Sequence, residues 1–103
     1  MHQRISERKA AIAELCRRHG IARLEVFGSA ARASDFDEAL SDADFLVEFL
    51  GDSGNSPLAE FFDFRDSLAA VLGRPVDLIE PGALRNPYVI LGVNQSRETV
   101  YAA

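Results

Sequence analysis

The chain of 103 residues has room for one small domain with a real hydrophobic core, but not for a catalytic domain plus a separate substrate domain. Its apolar share of 48% and charged share of 26% are those of an ordinary soluble globular protein, and no apolar run is long enough to span a bilayer. The net charge of −5 argues against a general nucleic-acid binder, whose affinity comes from Lys and Arg neutralising phosphates, and a lone cysteine, Cys16, excludes an intrachain disulfide.

The first nine residues turn polar and charged where an export signal would place its apolar segment, so a cytoplasmic location is expected. Over residues 6–19, Ile12, Leu15 and Cys16 recur at helical spacing, with Gly20 placed to stop an amphipathic helix. Residues 24–27 read as a short strand that Gly28-Ser29 turns directly into Ala30-Ala31-Arg32-Ala33, a segment of good helix propensity. A polar, mostly acidic connection over 34–41 follows. Residues 42–49 then alternate at strand period, with Ala43, Phe45, Val47 and Phe49 on one face.

Gly51 to Asn55 reads as a loop, and Ser56-Pro57 as a helix start with serine as N-cap, the helix running through Leu58, Phe61, Phe62, Leu68 and Leu72 to a stop at Gly73. Val76-Asp77-Leu78-Ile79 is a third strand, closed by Pro81-Gly82. Asn86-Pro87 opens a last helix, and Thr99-Val100-Tyr101 is either a terminal strand or that helix's end. Strands separated by helices predict an α/β (α+β) domain over residues 1–103, a small sheet with helices packed on it.

Three features could carry chemistry. Asp42 and Asp44, two apart on a strand, project from the same face and repel; a cation between them relieves this, and Mg²⁺, which takes one or two carboxylates plus phosphate oxygens, suits the pair. The same pattern also occurs as a solvated strand edge. Gly28-Ser29, where a strand hands over to a helix, can offer backbone N–H groups and a hydroxyl to a phosphate, or simply be a tight turn with Ser29 as N-cap. Asp77 stands in an apolar run, where a carboxylate is costly to bury unless paired, hydrogen-bonded or metal-bound; it could instead face solvent on an edge strand, beside Arg74. Together they suggest a phosphate turn and three carboxylates, able to hold two divalent ions for phosphoryl or nucleotidyl transfer. With His2 and His19 the only histidines, a Cys/His zinc site is excluded.

Gly28-Ser29-Ala30-Ala31-Arg32, then residues 41–49, then Gly73-Arg74-Pro75-Val76-Asp77-Leu78, with a weaker echo at 97–101, resemble the minimal nucleotidyltransferases of the DNA polymerase beta superfamily. The resemblance implies that superfamily's fold, a small mixed sheet flanked by helices. It further implies an antitoxin beside a HEPN-domain ribonuclease toxin, transferring AMP from ATP to a tyrosine of that toxin. On this mapping Gly28 and Ser29 hold the triphosphate, with Arg32 in reach of a phosphate. Asp42 and Asp44 bind both Mg²⁺ ions, and Asp77 completes the catalytic metal site and helps activate the acceptor hydroxyl. The chain departs from the pattern in a longer connection between Ser29 and Asp42 and in Ala33, where a glycine is usual.

The competing expectation is an inactive module of the same fold that neutralises a partner by binding alone. Expected partners are the HEPN-type toxin and a nucleoside triphosphate, without direct nucleic acid or membrane contact; a homodimer or hetero-oligomer is compatible with the small size. Arg32 also reads as a solvated helix residue, Cys16 as core, His19 as a helix C-terminal residue, and Phe61, Phe62 and Phe64 as mainly core with one ring left for a partner surface. Asp35, Asp37 and Glu38 lack calcium-loop spacing and read as a solvated acidic loop.

Overall fold

The structure is a computed structural model that describes residues 3–27, 43–51 and 57–103. The expected helix at 30–33, the acidic connection, the N-cap at Ser56 and most of the loop after Gly51 lie outside the described residues. So do Gly28, Ser29, Arg32 and Asp42.

The chain begins with two helices, α1 (Gln3–Glu7) and α2 (Lys9–Arg18), where the periodicity predicts one helix over 6–19. Arg8 separates them, and Ile5, earlier than the predicted start, is buried with Ile12, Leu15 and Cys16. Gly20 then ends the helical segment at φ 66°, in the left-handed region that glycine enters without a Cβ penalty. Strand β1 (Ile21–Phe27) starts three residues before the predicted strand, and β2 (Ala43–Phe49) follows it antiparallel. Helix α3 (Pro57–Leu72) crosses back so that β3 (Val76–Ile79) lies parallel to β2. Arg4 donates to the Leu72 carbonyl, satisfying an orphan acceptor at the end of α3.

After a 3₁₀ turn over Pro81–Ala83, Asn86 caps α4 (Pro87–Ser96) by accepting from the Tyr88 N–H at 2.9 Å, with Pro87 at the first helical position. The C-terminal alternative resolves as a strand: β4 (Glu98–Ala102) pairs antiparallel with β1. The mixed sheet has the order β3-β2-β1-β4.

The main core lies between one sheet face and helices α1, α2 and α3. Ala43, Phe45 and Val47 face it as the alternation predicts, together with Leu24, Val26, Val76 and Leu78 from the neighbouring strands. Phe64, Leu68 and Leu72 descend onto it from α3, with Phe64 edge-on to both His19 and Phe49. Of the phenylalanine cluster, Phe64 is fully buried, Phe61 is partly buried and Phe62 is exposed. Ile21 and Leu24, three apart, share this core because the β1–β2 register shifts between Ile21 and Arg23. Cys16 is buried, and burial pushes its thiol up to about 12, which fits a packing residue rather than a nucleophile. No helix among the described residues is long and apolar enough to cross a membrane.

Phe64 touches both layers, so Phe64→Ala should lower the unfolding free energy by about 3–5 kcal/mol, read from urea denaturation at unchanged m-value. A loss below about 1 kcal/mol would show that the cavity collapses without consequence for the α3–sheet contact.

Candidate functional site

Because β2 commits Ala43, Phe45 and Val47 to the core, Asp44, Leu46 and Glu48 must emerge on the opposite face. Asp44 stands in register with Phe27 at the end of β1 and with Asp77 on β3. Phe27, Asp44 and Asp77 therefore form one row across three strands, on the face away from the main core. Neighbouring strands lie roughly 4.8 Å apart, so the row brings two carboxylates side by side. Asp44 is half-buried and Asp77 exposed, on an edge strand.

Of the two readings of Asp77, the exposed edge-strand position is the one observed. It does not exclude a part in binding, since exposure on this face is what access to a ligand requires. Gly28 is covalently next to Phe27, and Asp42 is one residue before Ala43. The row is thus where the chain leaves for the first and returns from the second, although both lie outside the described residues.

The donor chemistry fits a hard cation. Adjacent carboxylates repel, and Mg²⁺ takes such oxygens readily while filling its other positions from water and phosphate. Among the described residues no group of three or more His, Cys, Asp or Glu side chains forms a metal-binding cluster. A separate shallow groove, lined by Val47, Glu48, Phe49, Glu80, Pro81 and Gly82, lies toward the other end of β2 and contains none of the predicted residues.

The same face holds a buried polar feature that the sequence reading passes over. Glu25, two residues before Phe27, is 5% exposed, and it alone among the described residues is both charged and buried. It faces Leu46, which is 3% exposed and stands outside the main cluster, as does Val93 of α4. Helix α4 packs against β1 and closes this part of the face.

Two donors of Arg97, Nε at 2.8 Å and Nη2 at 2.5 Å, grip both Glu25 oxygens, and Arg23 Nε lies 3.3 Å from Oε1. The hydrogen bonds and charge of Arg97, aided by Arg23, hold the Glu25 carboxyl below its usual value against the opposing effect of burial. Arg97 is held more firmly protonated in return. The available signal was a charge inside the apolar run Leu24-Glu25-Val26, the same argument that singled out Asp77. Sequence proximity offers Arg23 alone; the two-pronged partner, Arg97, lies 72 residues away.

The family described as "Nucleotidyltransferase domain" matches residues 8–98. Two proteins of Methanocaldococcus jannaschii, each named "Putative protein adenylyltransferase", are 39% identical over 66 residues and 40% identical over 67. Each match covers 64% of this chain and 62% or 63% of the relative, so it spans less than two thirds of those relatives. Among solved structures, one described as "Structure of putative minimal nucleotidyltransferase" superposes with a TM-score of 0.72 at 31% identity, covering 95% of both chains. One chain of the structure described as "tri-AMPylated Shewanella oneidensis HEPN toxin in complex with MNT antitoxin" shares the fold at a TM-score of 0.64 and 16% identity, over 96% of this chain and 73% of that one.

Because the folded state holds Glu25 ionised more readily than the unfolded chain does, its contribution is present above the ordinary glutamate value. It is lost as pH falls through the lowered folded value. Glu25→Gln should therefore cost about 2 kcal/mol at neutral pH, with the deficit shrinking below about pH 4. Thermal melts of both proteins across pH check this, and a deficit that grows toward acid pH would contradict it.

Proposed function

We propose, because this chain belongs to the nucleotidyltransferase domain family, that it transfers AMP from ATP to a tyrosine hydroxyl of a HEPN-type toxin and so acts as its antitoxin. The observation that carries this reading is the register of Asp44 with Asp77, beside the strand end that leads into Gly28-Ser29. The names of the Methanocaldococcus relatives support a protein as acceptor, and the likeness to the toxin–antitoxin structure supports the partner class.

In this reading Gly28 and Ser29 receive the triphosphate, with Arg32 supporting a phosphate. Asp42, Asp44 and Asp77 would hold two Mg²⁺ ions, which when bound would supply charge neutralisation at the phosphates and lower the cost of ionising the acceptor hydroxyl. The tyrosine oxygen attacks the α-phosphorus of ATP. A new O–P bond forms, the bond from the α-phosphorus to the bridging oxygen breaks, and pyrophosphate leaves with that electron pair. Asp77, the exposed carboxylate of the row, helps draw off the hydroxyl proton.

Small size favours this division of labour. The carboxylate row opens on a sheet face only partly closed by α4, so the acceptor can bring the rest of the site. The opposing possibility, neutralisation by contact alone, keeps the same fold and needs none of the carboxylates.

Asp44→Asn and Asp77→Asn should each lower AMP transfer to the product of the neighbouring toxin gene by at least about a hundredfold, read from the partner's intact mass after incubation with ATP and Mg²⁺. Without Mg²⁺, Asp77→Asn should be as stable as the native chain or slightly more so, since it removes one of two adjacent like charges. Undiminished transfer by both overturns the catalytic assignment. Toxin silencing that survives in both points to neutralisation by contact.

A further inference from the structure

Glu25, buried on β1, and Arg97, partly exposed in the position just before β4, form a part-buried ion pair. Ion pairs withdrawn even partly from water contribute little to stability compared with apolar packing of the same volume, and their best-attested use is to specify one register among alternatives. There is an alternative here. The β1–β4 ladder pairs Leu24 with Tyr101 but Glu25 with Thr99, so Val100 is an extra residue on β4 and the ladder is bulged at Glu25. A one-residue slip would move Val100 out of the main core, which it now enters.

Arg23 lies on Glu25's own strand and could balance its charge without constraining β4. Arg97 does constrain it. Its two-pronged contact specifies both direction and distance. Arg97 is itself anchored, with Nη1 donating to Asn94 Oδ1 at 3.0 Å and its backbone N–H donating to the Val93 carbonyl at 2.8 Å. The last turn of α4, the start of β4 and the middle of β1 therefore meet at one carboxylate. Two residues further on, about 6.6 Å along the strand, Phe27 lies in register with Asp44.

We propose that the Glu25–Arg97 pair is a positioning device for the nucleotide site, locking the bulged β1–β4 register and so fixing where β1 ends relative to Asp44 and Asp77. Neither residue touches the reacting atoms. The nucleotide part of the inference rests on the transfer reading above, and the register lock does not.

The test compares the native chain with Arg97→Lys, Arg97→Ala and Glu25→Gln. It uses site-resolved amide hydrogen exchange, together with calorimetric binding of a non-hydrolysable ATP analogue in Mg²⁺, at a temperature where all four are folded. Beyond the uniform increase that the loss of global stability imposes on every amide, exchange should quicken by about a further tenfold at residues 26–27 and 99–101, with α2 and α3 amides showing the uniform increase alone. Analogue affinity should weaken by about tenfold. Arg97→Lys keeps the charge but not the planar fork, so it should behave like Arg97→Ala rather than like the native chain.

Uniformly faster exchange across the sheet and helices would reduce the pair to general stability and overturn the proposal. Unchanged local exchange, or changed exchange with unchanged affinity, would also overturn it. Failure of the native chain to bind the analogue would instead sink the transfer reading and the nucleotide half of the proposal, leaving the lock to be judged on the exchange pattern.

Discussion

Pairing between β2 and β3 is the constraint on which the candidate site depends. Ala43 opposite Val76 and Phe45 opposite Leu78 are buried pairs, and they hold the two strands in a single register because slipping by one residue would expose an entire apolar set. With the core residues so paired, Asp44 has no choice but to stand beside Asp77 on the other face. The energy that holds two like charges together comes from the apolar contacts on the far side of the sheet. Helix α3 supplies the other half of that core through Phe64, Leu68 and Leu72, and by crossing over it makes the pairing parallel.

The face opposite the core is divided between two electrostatic regimes. Near the strand ends, Asp44 and Asp77 sit side by side with solvent access, a donor set suited to a cation. Deeper under α4, Glu25 is gripped by Arg97 and approached by Arg23, which satisfies its oxygens and removes it as a competing metal ligand. A third carboxylate on the same face thus need not dilute the site. Geometry separates the two roles more than residue type does, since aspartate and glutamate differ by one methylene while their surroundings differ in both solvent and counter-charge.

Family membership and the superposition on a solved minimal nucleotidyltransferase agree on the nucleotidyltransferase fold, and the carboxylate row is the proposed seat of its chemistry. Among the described residues the sheet has four strands, and α4 closes only part of the face that carries Asp44 and Asp77. On the proposed reading, a second macromolecule that carries the acceptor completes such a site. Exposed Leu50, Leu58, Tyr88 and Leu91 show that the surface is not uniformly polar.

Period-two alternation in β2, glycine stops at Gly20 and Gly73, the Asn86-Pro87 helix start and the short apolar run 76–79 were legible in the sequence because each is a local preference of backbone and side chain. From these followed the α+β class and the identity of Asp44 and Asp77 as candidates. Burial was less legible. The apolar run left Asp77 either costly to bury or facing solvent on an edge strand, and it is the second, whereas Glu25, in a run of the same kind, is the buried carboxylate. Which strand is an edge, which face a fourth helix covers, and whether Arg97 reaches Glu25 across 72 residues depend on strand order and on packing between distant segments. Local sequence determined the elements and the chemistry they carry; only the tertiary structure decided which carboxylate meets solvent and which meets arginine, because desolvation and counter-charge are properties of the assembled sheet.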